Sequence, residues 1–178
     1  MAFSFFRKSK HSAADELHDS LEKSRGAAFF VPTPWAVARQ MLEFADVRPT
    51  DVVYDLGSGD GRIPIMAAQE FGSRAVGLDI DEKLWRYAQE KAQEYHLEER
   101  VSFRREDFFK ANLSDATVVT LYLLPEVNGP LGPRLASQLR PGTRVVSVDY
   151  GVPSWHAAET KIVKSEGNIE YTLYLYRR

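Results

Sequence analysis

The segment Val52-Val53-Tyr54-Asp55-Leu56-Gly57-Ser58-Gly59-Asp60-Gly61-Arg62 constrains the fold of this chain more than any other. An apolar, β-branched run ends in an acid, and glycines follow at alternate positions 57, 59 and 61. An aliphatic, helix-forming stretch (63–71) begins at once. That order reads as a strand, a tight turn and a helix. Without Cβ atoms, the glycines let the turn take unusual φ/ψ values and let a ligand lie against its backbone. The unpaired amides of the helix start then face a negatively charged group.

Alternating strand and helix patterns continue from residue 35 to residue 148. Helical spacing over 35–45 (Trp35, Ala38, Met41, Leu42, Ala45) starts just after Pro34. Strands are expected at Val52–Leu56, 75–79, Val101–Arg105, 117–124 and 143–148. The run over 117–124 is nearly unbroken in its apolar character, as for a central strand buried on both faces. Helices are expected over 63–71, over 82–95 with Asp81 as its cap, and over about 131–139. Beyond Asp149 the pattern changes. Glu159–Lys164 and 169–177 alternate like strands around Ser165-Glu166-Gly167-Asn168, a hairpin signal. The fold class is therefore α/β: a doubly wound, mostly parallel sheet with helices on both faces, ending in an antiparallel hairpin.

Composition narrows the partners. The chain has 178 residues, enough for one substantial core, with a formal net charge of −2. No overall basic field exists to hold a nucleic acid, so none is expected as partner. There is no cysteine, which removes disulfides and thiol chemistry and fits a reducing, cytoplasmic location. The four histidines show no metal-ligand spacing, and no apolar run is long enough to span a membrane. Residues 1–25 read as a partly helical or flexible arm preceding a domain over 26–178. Phe3, Phe5 and Phe6 beside Arg7, Lys8 and Lys10 give that arm a weak membrane-contact alternative. The chain is expected to be a monomer.

Three acids fall at strand ends on one edge of the sheet, where open α/β folds bind ligands. Asp55 ends the first strand, Asp79 the second, and Asp107 follows the third. The turn is G-x-G-x-G rather than the G-x-G-x-x-G of dinucleotide folds, and Asp60 lies inside it. A carboxylate there repels a pyrophosphate but suits a positive amine or sulfonium. S-adenosylmethionine carries both, with a carboxylate for the helix start, and so is the expected cofactor. Asp79 lies 22 residues after Gly57 (79 − 57), close to the ~20-residue spacing of a ribose-binding acid. Asp107 is placed for the adenine amine, with Phe108 or Ile80 against the ring. Gly57, Ser58, Gly59, Asp55 and Asp60 complete the set, because strand-end or buried acids need a partner. Asp79 as a helix cap and Asp107 as a turn acid remain the plain alternatives.

These residues resemble the motifs of class I S-adenosylmethionine-dependent methyltransferases, at Asp55–Arg62, Asp79-Ile80 and Asp107-Phe108. Further segments resemble one branch closely, the small archaeal broad-specificity protein lysine methyltransferases and their mitochondrial relatives acting on ATP synthase subunit c and the adenine nucleotide carrier. They are Phe30-Val31-Pro32-Thr33-Pro34, Val118-Val119-Thr120-Leu121-Tyr122-Leu123-Leu124-Pro125 and Pro141-Gly142-Thr143-Arg144-Val145-Val146-Ser147. The similarity runs from about residue 30 to residue 176. It implies a seven-stranded Rossmann-like methyltransferase fold, methyl transfer to exposed lysines of proteins, and loose sequence preference. A small-molecule methyltransferase and a non-catalytic, cofactor-binding regulatory protein stay open as alternatives.

On the acceptor side, many amino-methylating enzymes carry Asn/Asp-Pro-Pro-aromatic after the fourth strand, and this chain reads Tyr122-Leu123-Leu124-Pro125. That argues against an adenine, cytosine or glutamine amide acceptor and leaves room for a lysine stem. Tyr122 and Asp149 are the candidates for orienting the acceptor amine, against plain roles as core tyrosine and turn acid. Residues 29–34 are expected to form a lid over the methionine end, with Thr33 on the cofactor and Phe30 at the channel. Leu124, Pro125 and Trp155 would line that channel, although Trp155 equally suits a plug at the sheet edge.

Overall fold

The computed structural model describes residues 30–178, so the arm at 1–25 lies outside the described residues. The chain divides into a unit ending at Pro32 and a unit Thr33–Arg178, and the fold below is that of the second. Its elements are α1 (Trp35–Phe44), β1 (Val52–Leu56), α2 (Arg62–Phe71), β2 (Arg74–Asp79), α3 (Glu82–Glu94), β3 (Val101–Arg105), β4 (Val118–Leu121), α4 (Pro125–Gln138), β5 (Arg144–Val148), β6 (Glu159–Lys164) and β7 (Glu170–Arg177). The strands form one seven-stranded sheet in the order β3-β2-β1-β4-β5-β7-β6. β1 to β5 pair in parallel, and the β6–β7 hairpin joins β5 antiparallel. The expected fold class holds, with the strand order reversing between β1 and β4.

Alternation along β1 divides the core between the two faces. Val53 joins a cluster with Met41 and Leu42 of α1, Ile65 and Met66 of α2, and Ala88 and Ala92 of α3. Val52, Tyr54 and Leu56 point the other way, to Leu131 and Leu135 of α4 and to Leu113. β1 and β4 are buried at every position, as required of central parallel strands.

Two elements differ from expectation. β4 ends at Leu121, and α4 starts at Pro125 rather than near residue 131. Pro125 suits a first helical position because its missing N–H has no intrahelical acceptor there. Gly129, Pro130, Gly132 and Pro133 hide the helix from a periodicity argument, yet Leu131 and Leu135 bury fully and hold it to the sheet. Between β3 and β4 the chain runs through turns with no helix, and Phe108, Ala111 and Leu113 cover the sheet there instead. Asp81 caps α3 as expected, its Oδ1 accepting from the amides of Lys83 (2.8 Å) and Leu84 (3.1 Å).

Candidate active site

The carboxyl ends of β1 and β4 flank the point where strand order reverses, and the glycine turn sits there. Gly57, Gly59 and Gly61 all have positive φ, at 78°, 53° and 81°. The amides of Gly57 and Ser58 both donate to the Leu78 carbonyl (2.8 and 2.9 Å), drawing the turn onto β2. A Cβ on Gly57 would lie 2.9 Å from Cδ2 of Leu123, so the turn and the segment after β4 touch. The N-cap of α2 is Gly61, which has no side chain, and the Asp60 Oδ1 accepts from the amide of the first helical residue, Arg62, at 3.2 Å. Pro64 has no N–H and the Ile65 amide donates to the Gly61 carbonyl, so the helix start offers an anion less than the glycine turn suggests.

Asp79 closes the turn from the β2 side. Its Oδ2 accepts from the Gly59 amide (2.8 Å) and its Oδ1 from the Asp81 amide (2.9 Å). Burial pushes its carboxyl above the usual carboxylate range, while these backbone amides pull it back. Asp55 lies deeper, 4% exposed, and accepts from the Thr120 hydroxyl at 2.7 Å. Burial pushes the Asp55 carboxyl up to about 7; the Thr120 hydroxyl opposes the shift, and the charges of Asp60 and Asp79 add to it.

Asp60 departs from the sequence reading. Instead of waiting for a positive ligand, its carboxylate is paired twice with Arg62, Nε to Oδ1 at 3.0 Å and Nη2 to Oδ2 at 2.5 Å. Both side chains are buried. Arg62 also donates to the Thr33 carbonyl (2.7 Å) and lies 5.0 Å from the Trp35 ring centre. A counter-charge two residues away in sequence has taken the role that had been left to a ligand. Among the described residues, the buried acid without an ion-pair partner is Asp55.

Asp107 forms the turn after β3, accepting from the Phe109 amide at 2.9 Å, with Lys110 3.9 Å away. Phe108 packs partly into the second core beside Phe109, and Ile80 is 67% exposed. Thr33 is buried and serves through its carbonyl. Phe30 belongs to the unit ending at Pro32.

On the acceptor side, the Tyr122 ring meets that of Tyr171 edge to face (6.4 Å, 78°). Burial, with Asp149 next in weight, pushes the Tyr122 hydroxyl up to about 12, so it stays a neutral hydrogen-bonding group. Asp149 has φ 57°; its amide donates to the Thr172 carbonyl (2.7 Å) and its Oδ1 accepts from the Thr172 amide (3.0 Å). Tyr150, 41% exposed, follows directly. Leu124 caps α4 with 60% of its surface open, beside Pro125. Trp155 is a correction. Its ring packs on Tyr176 (5.7 Å, 80°) within the α4-side core, near Ala136 and Arg178. Arg178 is bonded to Thr143 at the start of β5, so Trp155 plugs the sheet away from the carboxyl edge. Among the described residues no group of side chains could hold a metal ion.

Residues 55–159 match the family model described as the ANTKMT methyltransferase domain. The chain belongs to the ANTKMT methyltransferase domain family. It is 45% identical over 148 residues to a protein-lysine N-methyltransferase of Saccharolobus islandicus (strain REY15A), covering 83% of this chain and 91% of that protein. It is 37% identical to the adenine nucleotide translocase lysine N-methyltransferase of Mus musculus, covering 70% of this chain but only 56% of the mouse protein. A solved RNA methyltransferase of Salinibacter ruber, in complex with S-adenosyl-L-homocysteine, superposes with a TM-score of 0.76 at 50% identity. That match covers 83% of this chain and 93% of the Salinibacter chain.

Several residues that the fold brings against the candidate site residues were missed by sequence reasoning. Thr120 was findable as the lone polar residue of a buried strand, opposite Asp55 in register. Tyr171 and Tyr150 were not findable, since only the antiparallel return of β7 brings Tyr171 to Tyr122.

Proposed function

We propose that this methyltransferase, which uses S-adenosylmethionine, transfers methyl groups to lysine side chains of proteins with loose sequence preference, in the cytoplasm. The observation that carries the lysine acceptor is the 45% identity to the Saccharolobus enzyme across 83% of this chain and 91% of that protein. The cofactor fits the residues present. A positive-φ turn approaches closely, a buried Asp55 has no ion-pair partner among the described residues, and Asp79 ends β2. In this reading Asp79 takes the ribose hydroxyls and Asp55 the amine, while the turn backbone from Gly57 to Gly59, its amides committed to the Leu78 carbonyl and Asp79, gives the cofactor a close surface to lie against. Asp107, with Ile80 and Phe108, takes the adenine. When bound, the cofactor supplies an electrophilic methyl on a sulfonium.

The chain's own task is to orient the acceptor and exclude water. A lysine amine must be neutral to attack, and desolvation or a nearby positive charge lowers its pKa. Asp149 draws the ammonium in, the amine gives its proton to water, the neutral Tyr122 hydroxyl orients the free amine, and Leu124 and Pro125 flank its stem. Among the described residues, no helix is long and apolar enough to cross a membrane.

A second reading has its own support, since the Salinibacter neighbour is described as an RNA methyltransferase. The net charge of −2 weighs against a polyanion acceptor. Incubation with radiolabelled cofactor and denatured lysate separates the two. Label in protein bands, recovered as methyl-lysine after acid hydrolysis, is expected. Label removed by ribonuclease would overturn the lysine reading.

Two predictions concern the cofactor half. Asp79→Ala should weaken S-adenosyl-L-homocysteine binding at least about tenfold by calorimetry, on the order of 1.4 kcal/mol, the scale of a lost charged hydrogen bond. Unchanged binding would remove Asp79 from the site. Asp55 makes binding pH-dependent. Below about 7 the buried acid is protonated and holds a cation poorly. Affinity should therefore rise as pH goes from about 5.5 to 7.5, with proton release, and Asp55→Asn should flatten the slope. A slope that persists in that variant assigns it to another group. For folding the sign is opposite: the raised value favours the folded chain below the ordinary carboxylate range, and that contribution is lost as pH rises towards 7.

A further inference from the structure

We infer that Asn128 is a positioning residue, a strut that holds the segment after β4 and the loop after β5 at the separation an incoming acceptor needs. Asn128 lies in the first turns of α4 and is completely buried. Its Nδ2 faces the carbonyls of Tyr150 (3.0 Å), Gly151 (3.3 Å) and Leu123 (3.5 Å). The first two follow Asp149, and the third lies beside Tyr122, so one amide group joins the loops that carry both acceptor candidates. Ser147 adds a second tie, its hydroxyl donating to the same Tyr150 carbonyl at 2.5 Å. The side chain of Leu123 rests against the glycine turn at Gly57.

The other end of the same amide explains why this is not mere packing. Reversing it would set an oxygen against three carbonyls, so the orientation is settled by its surroundings. Among the described residues, the Asn128 Oδ1 is then buried with no hydrogen-bond partner. A buried acceptor left unpaired is a net cost to folding, and an apolar side chain of similar shape avoids it. The position keeps an amide for what its N–H groups tie together. Local choices that work against stability concentrate at functional sites.

The identity of the acceptor rests on the lysine reading above, but the strut does not. The test uses full-length Asn128→Leu and Asn128→Asp, which keep the approximate shape and lose the donors. Binding of S-adenosyl-L-homocysteine is expected to stay within about twofold of wild type. With reduced, carboxymethylated lysozyme as an unfolded lysine-bearing acceptor, kcat/KM is expected to fall at least tenfold, chiefly through KM. A kcat/KM within twofold of wild type overturns the inference, as does a fall matched by lost cofactor binding. If wild type methylates no lysine, the lysine reading fails instead. Hydrogen exchange then decides the strut: amides at 122–124 and 150–151 should exchange at least tenfold faster in Asn128→Leu, and unchanged exchange overturns it.

Discussion

Replacing Arg62 with methionine is expected to destabilise the protein by about 3–5 kcal/mol, read from urea unfolding of the full chain. Asp60 and Arg62 are both almost wholly inside the protein, with side chains 4% and 8% exposed. Methionine fills much of the same volume but leaves the Asp60 carboxylate buried without its counter-charge, and that is the expensive outcome. The Thr33 carbonyl also loses its donor, and the Trp35 ring its cation. Removing both charges, in Asp60→Asn with Arg62→Met, should recover a large part of the loss, because the unpaired ion is then gone. A single-variant loss below about 1 kcal/mol would mean that water reaches Asp60 freely and the pair is no more than a surface bridge. The pair also joins the residues before α1 to the glycine turn, so the variant should weaken S-adenosyl-L-homocysteine binding as well.

Gly61→Ala is the second large effect. At φ 81° an L-residue is strained, a cost of about 1–3 kcal/mol. The added Cβ would lie 2.5 Å from Cζ of Phe103 and 2.8 Å from Cβ of Ala88. Both neighbours sit in the core against α2 and β2, and Ala88 has no side chain to swing away. Overpacking adds about 1–3 kcal/mol, so the total expected is about 2–6 kcal/mol by thermal or urea unfolding. Gly142→Ala is the internal control. It has φ 90° and nothing within 4 Å of its added Cβ, so it should show the backbone cost alone. Equal losses at the two positions would show that Phe103 yields and that crowding contributes little.

How much was legible in the sequence follows from the range of each interaction. The first strand, the turn and α2 were readable because their signals are local: β-branched residues, alternating glycines, then an aliphatic face. Asp81 was readable as a cap for the same reason, since its partners are two and three residues away. α4 was misplaced because its prolines and glycines obscure the helical period, and burial of Leu131 and Leu135 decides it instead. The turns between β3 and β4 fill by packing, which no periodicity announces.

The candidate site divides along the same line. The residue types at the strand ends pointed to S-adenosylmethionine, because an acid in the turn and acids at the next two strand ends suit that ligand's charges. Which acid is free was not legible. Asp55 and Asp60 are alike on paper, five residues apart, and only the fold gives one of them an arginine and the other a threonine hydroxyl. Trp155 was open between channel and plug until its ring was seen against Tyr176.

By itself, then, the sequence determined a parallel α/β domain with a glycine turn at its carboxyl edge, the family and the cofactor class. Those rest on contacts spanning a few residues, or on motifs that repeat the same local geometry. Tertiary structure decided which charges are already neutralised, where Trp155 goes, and how Tyr122, Asp149, Tyr171 and Asn128 come together. Those depend on strands and helices far apart in the chain meeting across the sheet, and on burial, which sets each group's charge only once the core has closed around it.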